Sequence, residues 1–154
     1  MNGEANNNAG AHKRIRVLIA DDSAAFRNAV GLFLERLPQV EVIGAAEDGV
    51  HALALVASLR PDLVLMDLQM PRLDGLQATR KIRAKFPNVH VIMISLHDSQ
   101  ELRAASAASG ADRFILKHCL RDELPGALAR LFPGRAGGAL NLTADEKQQP
   151  RNDA

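Results

Sequence analysis

Short runs of Val, Ile, Leu and Ala alternate along this chain with segments whose apolar residues recur every three or four positions, five of each. The runs cover residues 15–20, 40–46, 63–66, 89–94 and 113–116, and several are apolar without interruption. Such continuity suits a strand covered by helices on both faces, whereas a strand with one wet face alternates apolar and polar residues. Each run leads into a helical pattern. After Ser23, a candidate N-cap, the residues Phe26, Ala29, Val30, Phe33, Leu34 and Leu37 share one helical face. A second helix over 50–59 stops before Pro61. Asp74 and Gln77 form a capping box for a third, which runs to Phe86 and Pro87. Asp98 with Glu101 opens a fourth, ending near Gly110, and Asp122 caps a fifth with Pro125 in its first turn. Strand–helix alternation with short links implies parallel strands and right-handed crossovers. The expected fold is α/β: a three-layer sandwich, a five-stranded parallel sheet with five alternating helices.

The pattern accounts for residues 14–133 as one domain. Residues 1–13 and 134–154 are polar, rich in Gly, Asn, Gln and charge, and read as disordered tails. Nineteen Lys and Arg against 18 Asp and Glu leave a formal net charge of +1, so no electrostatic pull toward nucleic acid or an anionic membrane is expected. Arg80, Lys81, Arg83 and Lys85 read as a solvated helix face. The first 13 residues lack the apolar core of a signal peptide, and no run approaches the roughly 20 residues that span a bilayer. A single cysteine, Cys119, excludes an intrachain disulfide framework and points to a reducing compartment, hence a cytoplasmic location.

In an open parallel sheet, ligands bind beyond the carboxyl ends of the strands, where strand order reverses. The residues just past those ends are Asp21 and Asp22, Asp67, Ser95 and Lys117. Taken singly, each has an ordinary explanation: an Asp pair favoured by a helix dipole, a turn-forming Asp, a terminal Ser, a solvated Lys. Four ordinary explanations landing on one edge of one sheet are a weaker account than one shared site. Two like charges about 4 Å apart repel by about 4 kcal/mol at an effective dielectric near 20, so three carboxylates there raise a pKa or recruit a cation. The donors are hard oxygens, which favours Mg2+. A divalent ion beside a lysine and a hydroxyl is the equipment that binds a transferring phosphoryl group.

Three segments carry a resemblance: 17–23 (Val-Leu-Ile-Ala-Asp-Asp-Ser), 63–75 (Leu-Val-Leu-Met-Asp-Leu-Gln-Met-Pro-Arg-Leu-Asp-Gly), and Ile94-Ser95 followed by Gly110-Ala111, Phe114 and Lys117. Over residues 14–132 the chain resembles the receiver domains of bacterial two-component response regulators. The resemblance implies a flavodoxin-like strand order 2-1-3-4-5. It implies that Asp67 is the phosphoacceptor, and that Asp22 ligates Mg2+ directly with Asp21 helping through water. The carbonyl of Gln69 would add another oxygen. It implies that Lys117 pairs with the phosphoryl group and that Ser95 moves to hydrogen-bond it. Phe114 would be the aromatic switch, with Pro71 and Gly75 shaping the loop after the third strand. The donor would be a sensor histidine kinase or a histidine phosphotransfer protein. The output would be a switched face on the fourth helix, fifth strand and fifth helix, read by a downstream protein, and a phosphorylation-dependent dimer is left open.

Two positions depart from the family pattern. His118 follows Lys117 where most receivers have Pro, and a non-proline cis bond costs about 3 kcal/mol, which favours trans. Leu96 is bulkier than the small residue common after Ser95. The segment Leu96-His97-Asp98 resembles receivers joined to helix-turn-helix outputs of the nitrate-response type. Residues from Gly134 onward lack the apolar periodicity of such an output, so the expectation is a stand-alone domain that is not an enzyme beyond its own phosphorylation chemistry. Three other readings compete. A phosphorylation-independent binding module does not need all five site residues. An aspartyl phosphatase of the haloacid dehalogenase type wants an acid two positions after the nucleophile, where Gln69 stands. A nucleotide-binding fold needs glycine-rich phosphate loops, which do not follow these strands.

Overall fold

A computed structural model describes residues 13–135, so the segments expected to be tails lie outside the described residues but for their inner ends. The sheet consists of β1 (Ile15–Ala20), β2 (Val40–Ala46), β3 (Leu63–Asp67), β4 (His90–Ser95) and β5 (Arg113–Leu116). All neighbours pair in parallel, and the spatial order is β2-β1-β3-β4-β5. The chain turns outward from β1 to β2, then returns past β1 to build β3, β4 and β5 on the other side. The order therefore reverses between β1 and β3.

Period-two alternation along the strands divides the core. Ile15, Val17, Ile19, Leu63, Leu65, Ile92, Ile94 and Ile115 face α1 (Ala24–Glu35) and α5 (Leu120–Leu131). Leu18, Ala20, Val64, Met66, Val91 and Met93 face α2 (Gly49–Leu59) and α3 (Gly75–Lys85), with α4 (Gln100–Ser109) completing that layer through Leu102. Putting α1 and α5 on one face and the other helices opposite is what crossovers of one hand produce when strand order reverses. Every residue of β3 is buried, as uninterrupted apolarity anticipates for the central strand. The edge strand β2 is only half-buried, and its register slips between Val17 and Leu18, leaving Ile43 as an extra residue.

Most element boundaries fall where the sequence places them, and the exceptions have physical causes. Ser23 caps α1 through the Phe26 N–H, and Asp74 with Gln77 makes the full capping box of α3. At α4, however, the cap is Ser99, whose hydroxyl accepts from the Leu102 N–H; Asp98 instead holds Arg103 in a two-bonded ion pair. The fifth helix begins at Leu120, after a 3-10 turn η1 (Lys117–Cys119), not at Asp122. Leu120 and Leu124 are buried against the sheet, and their burial extends the helix back past the expected cap. Pro125 consequently sits inside α5 instead of in its first turn. No cis peptide occurs among the described residues, so the Lys117–His118 link is trans.

Candidate functional site

At the carboxyl edge, β1 ends against Asp21, β3 ends in Asp67, β4 ends in Ser95, and Lys117 opens the turn after β5. One oxygen from each of Asp21, Asp22 and Asp67 lies within 4.8 Å of the other two. Asp21 is fully buried and Asp67 is 5% exposed, while Asp22 faces solvent. Asp67 is held there by a close approach: a Cβ at Gly75 would strike the Asp67 carbonyl oxygen, so only glycine lets α3 start this near β3. The Gly75 N–H donates to the Leu68 carbonyl at 2.9 Å, and the Leu68 N–H donates to the Ile94 carbonyl at 3.0 Å. These bonds tie the end of β3 to both α3 and β4.

Lys117 enters the pocket from the opposite side. Its Nζ is 2.6 Å from Asp21 Oδ2 and 3.4 Å from Asp67 Oδ2, and it lies 4.4 Å from the centroid of the Phe26 ring. The remaining Asp21 oxygen, Oδ1, accepts the Ser23 N–H at 2.8 Å, and the Asp21 carbonyl accepts from Arg27 Nη1 at 2.6 Å. Asp21 is thus satisfied on both sides, whereas Asp67 has Lys117 and a long 3.4 Å bond from the Gln69 N–H. Burial, followed by the charge of Asp21, pushes the Asp67 carboxyl up to about 7 against the opposing pull of Lys117. Ser95 is buried, and its hydroxyl accepts the His97 N–H at 3.1 Å, leaving its own proton free to donate.

The strand-end rule thus located the three carboxylates and Lys117. It missed Phe26 and Arg27, which support Lys117 and Asp21 from the first turn of α1. Phe26 reads as core at helical spacing, and only its position three residues after Ser23 hints that it overlooks the strand ends. Leu96, at the rim beside Ser95, is 68% exposed. Phe114 is not in the cluster; it is half-buried on the α2–α4 side, with the Arg103 guanidinium 4.8 Å from its ring centroid. Two of the cavities among the described residues bear on the site. One of about 540 Å³ adjoins the cluster and is lined by Asp22, Gln69, Met70 and Asp74 among others. The other, about 550 Å³, lies between α4, β5 and α5, lined by Arg103, Phe114 and Glu123 among others, away from the carboxylates.

With this geometry in view, the family model for the response regulator receiver domain matches residues 17–129, well over half of the chain. This chain belongs to that family. Among curated relatives, the receiver is 35% identical over 136 residues to the transcriptional regulatory protein DegU of Brevibacillus brevis, covering 88% of this chain and 56% of that protein. It is 34% identical over 149 residues to a protein-glutamate methylesterase/protein-glutamine glutaminase of Geobacillus kaustophilus, covering 90% of this chain and 42% of that protein. The chain therefore spans about half or less of these relatives' length. A solved CheX–CheY–BeF3–Mg2+ complex from Borrelia burgdorferi superposes with TM-score 0.72 at 27% identity, over 78% of this chain and 90% of that one. The receiver is thus a domain of the two-component signalling type.

Proposed function

We propose that Asp67 accepts a phosphoryl group from a phosphohistidine on a sensor histidine kinase or histidine phosphotransfer protein, with Mg2+ held by Asp21, Asp22, Asp67 and the Gln69 carbonyl. One observation carries this reading: the buried Asp67 carboxylate lies within reach of two further carboxylates and of Lys117 Nζ. The donor set fits the ion. All three side chains offer hard oxygens, and the Asp67 carboxyl, raised first by burial and then by the charge of Asp21, is one whose ionised form a cation would stabilise. When bound, Mg2+ supplies charge neutralisation for the carboxylates and for the oxygens of the transferring group.

The protein's own residues do the rest. An Asp67 oxygen forms the new bond to phosphorus as the donor's nitrogen–phosphorus bond breaks, and the imidazole leaves with the electron pair. Gly75 and the Leu68 N–H fix the backbone under Asp67, so the attacking oxygen needs little reorientation. Lys117, already 3.4 Å from Asp67, shifts from Asp21 to the phosphoryl oxygens, which is electrostatic stabilisation by a donor already in place. The acyl phosphate brings roughly −1.5 to −2 of charge if it titrates as other phosphoryl side chains do. The Ser95 hydroxyl exchanges its His97 contact for a bond to that group, and Phe114 turns inward behind it. The α4–β5–α5 face then presents a second arrangement to a downstream protein in the cytoplasm, a population shift limited by these differential contacts. The domain's own catalysis is confined to gaining and losing the phosphoryl group.

Intact mass after incubation with a small acyl-phosphate donor and Mg2+ tests the reading. Wild type should gain one phosphoryl group, the gain should vanish with chelator, and Asp67→Asn should gain none. Equal labelling of Asp67→Asn would move the acceptor to another residue, whereas no labelling of wild type would favour a binding module that works without phosphorylation or a site that opens only for its own kinase.

A further inference from the structure

The loop of residues 68–74 joins the acceptor aspartate to α3 and carries Gln69. Near its middle the chain does something costly. Leu73 N–H donates to the Pro71 carbonyl at 2.8 Å, closing a three-residue turn whose central residue, Arg72, has φ 67°. A γ-turn of that hand is the rarer, strained one, and a side chain at positive φ adds to the strain. Strain of this kind persists only where the surroundings hold it.

Here the holder is visible. Arg72 reaches across to the β2–α2 turn and gives Asp48 Oδ2 two contacts, Nε at 3.0 Å and Nη2 at 2.8 Å. Asp48 is 2% exposed, and its other oxygen accepts the His51 N–H at 2.8 Å as the cap of α2. That His51 N–H first, and Arg72 in addition, keep the Asp48 carboxyl below its ordinary value. The two loops also touch through backbone, since a Cβ at Gly49 would strike the Leu73 carbonyl oxygen. The guanidinium itself is largely in water, its side chain 64% exposed, so burial of Arg72 does not explain the arrangement. What the contact fixes is the backbone between Asp67 and α3.

We propose that Asp48 and Arg72 are positioning residues for the acid pocket: their ion pair anchors the strained turn to the N-terminus of α2 and so holds the Gln69 backbone where it can serve a cation. The inference rests on the Mg2+ site proposed above.

Two variants separate this role from simple capping. Asp48→Asn weakens both the cap and the pair, whereas Arg72→Ala leaves the cap of α2 in place and removes the side chain that reaches Asp48. Isothermal titration with Mg2+ alone, on the full chain, should show the dissociation constant of both variants raised about tenfold, as loss of a partner outside the ligand shell commonly does. Amide exchange in the metal-free protein should speed up in residues 68–74, and the phosphorylation rate at saturating Mg2+ should stay at the wild-type value. Wild-type Mg2+ affinity and unchanged loop exchange in Arg72→Ala would overturn the proposal. No Mg2+ binding by wild type would overturn the functional reading and this inference together, so the two failures are told apart.

Discussion

Asp67 is held in tension by its own neighbours. Burial and Asp21 raise its pKa to about 7, and Lys117 only partly offsets them. Because that value lies above the ordinary carboxylate value, the folded protein retains a proton that the unfolded chain releases between about pH 4 and pH 7. Stability therefore falls as pH rises through that window and is lowest above it. Asp67→Asn cannot ionise and escapes the loss. In metal-free buffer its Tm should exceed that of wild type by about 5 °C at pH 8, and the gap should close by pH 4. Calorimetry at the two pH values checks this, and a gap of equal size at both would refute it. The sequence showed these carboxylates because charge interrupts apolar strands. It could not show that Lys117 rests nearer Asp21 than Asp67, since that choice turns on less than 1 Å of side-chain placement.

Helices were read well where local chemistry decides and less well where packing does. The α3 capping box and the Gly110 end of α4 follow from hydrogen bonding within a few residues, and both were legible. The start of α5 was not, because Leu120 and Leu124 find their partners on distant strands. Their burial draws Pro125 into the helix, where it offers no N–H to the Arg121 carbonyl. Replacing that proline restores one donor and removes a ring from the helix interior. Pro125→Ala should stabilise the protein by about 1 kcal/mol in urea unfolding, a net hydrogen bond's worth, with an unchanged slope. Destabilisation would mean the helix depends on the proline's shape. Likewise Asp98, a reasonable cap by spacing, is taken by Arg103, and Ser99 does the capping one residue later.

Across the molecule, the acidic cluster and a fastening contact sit at opposite ends of the sheet. The carboxyl edge gathers the acidic cluster, and at the other edge Arg135 ties together the starts of two strands. Its guanidinium donates to the carbonyls of Lys13 and Arg14 and to Asp62 Oδ2 at 2.8 Å, while Asp62 also accepts the Arg16 N–H. Burial acts to raise the Asp62 carboxyl, but Arg135 and the Arg16 N–H together hold it below its ordinary value. A lowered carboxyl contributes stability that is present at neutral pH and lost in acid as it protonates. Arg135→Ala should therefore cost about 1 kcal/mol at pH 7, a modest figure because both groups are partly solvated. The difference should shrink below pH 3 in the same unfolding assay. A pH-independent loss would assign the effect to the backbone contacts alone.

By itself, the order of residues determined the class of fold, the strand count and the edge at which the carboxylates and Lys117 gather. Those depend on hydrophobic period and on charge at strand ends, which any local window displays. Packing decided the rest: the start of α5, the half-exposed and slipped edge of β2, and the pairing of Asp48 with Arg72 across two loops. Each of these joins residues far apart in the chain, and a contact between distant segments leaves no period in the sequence to read.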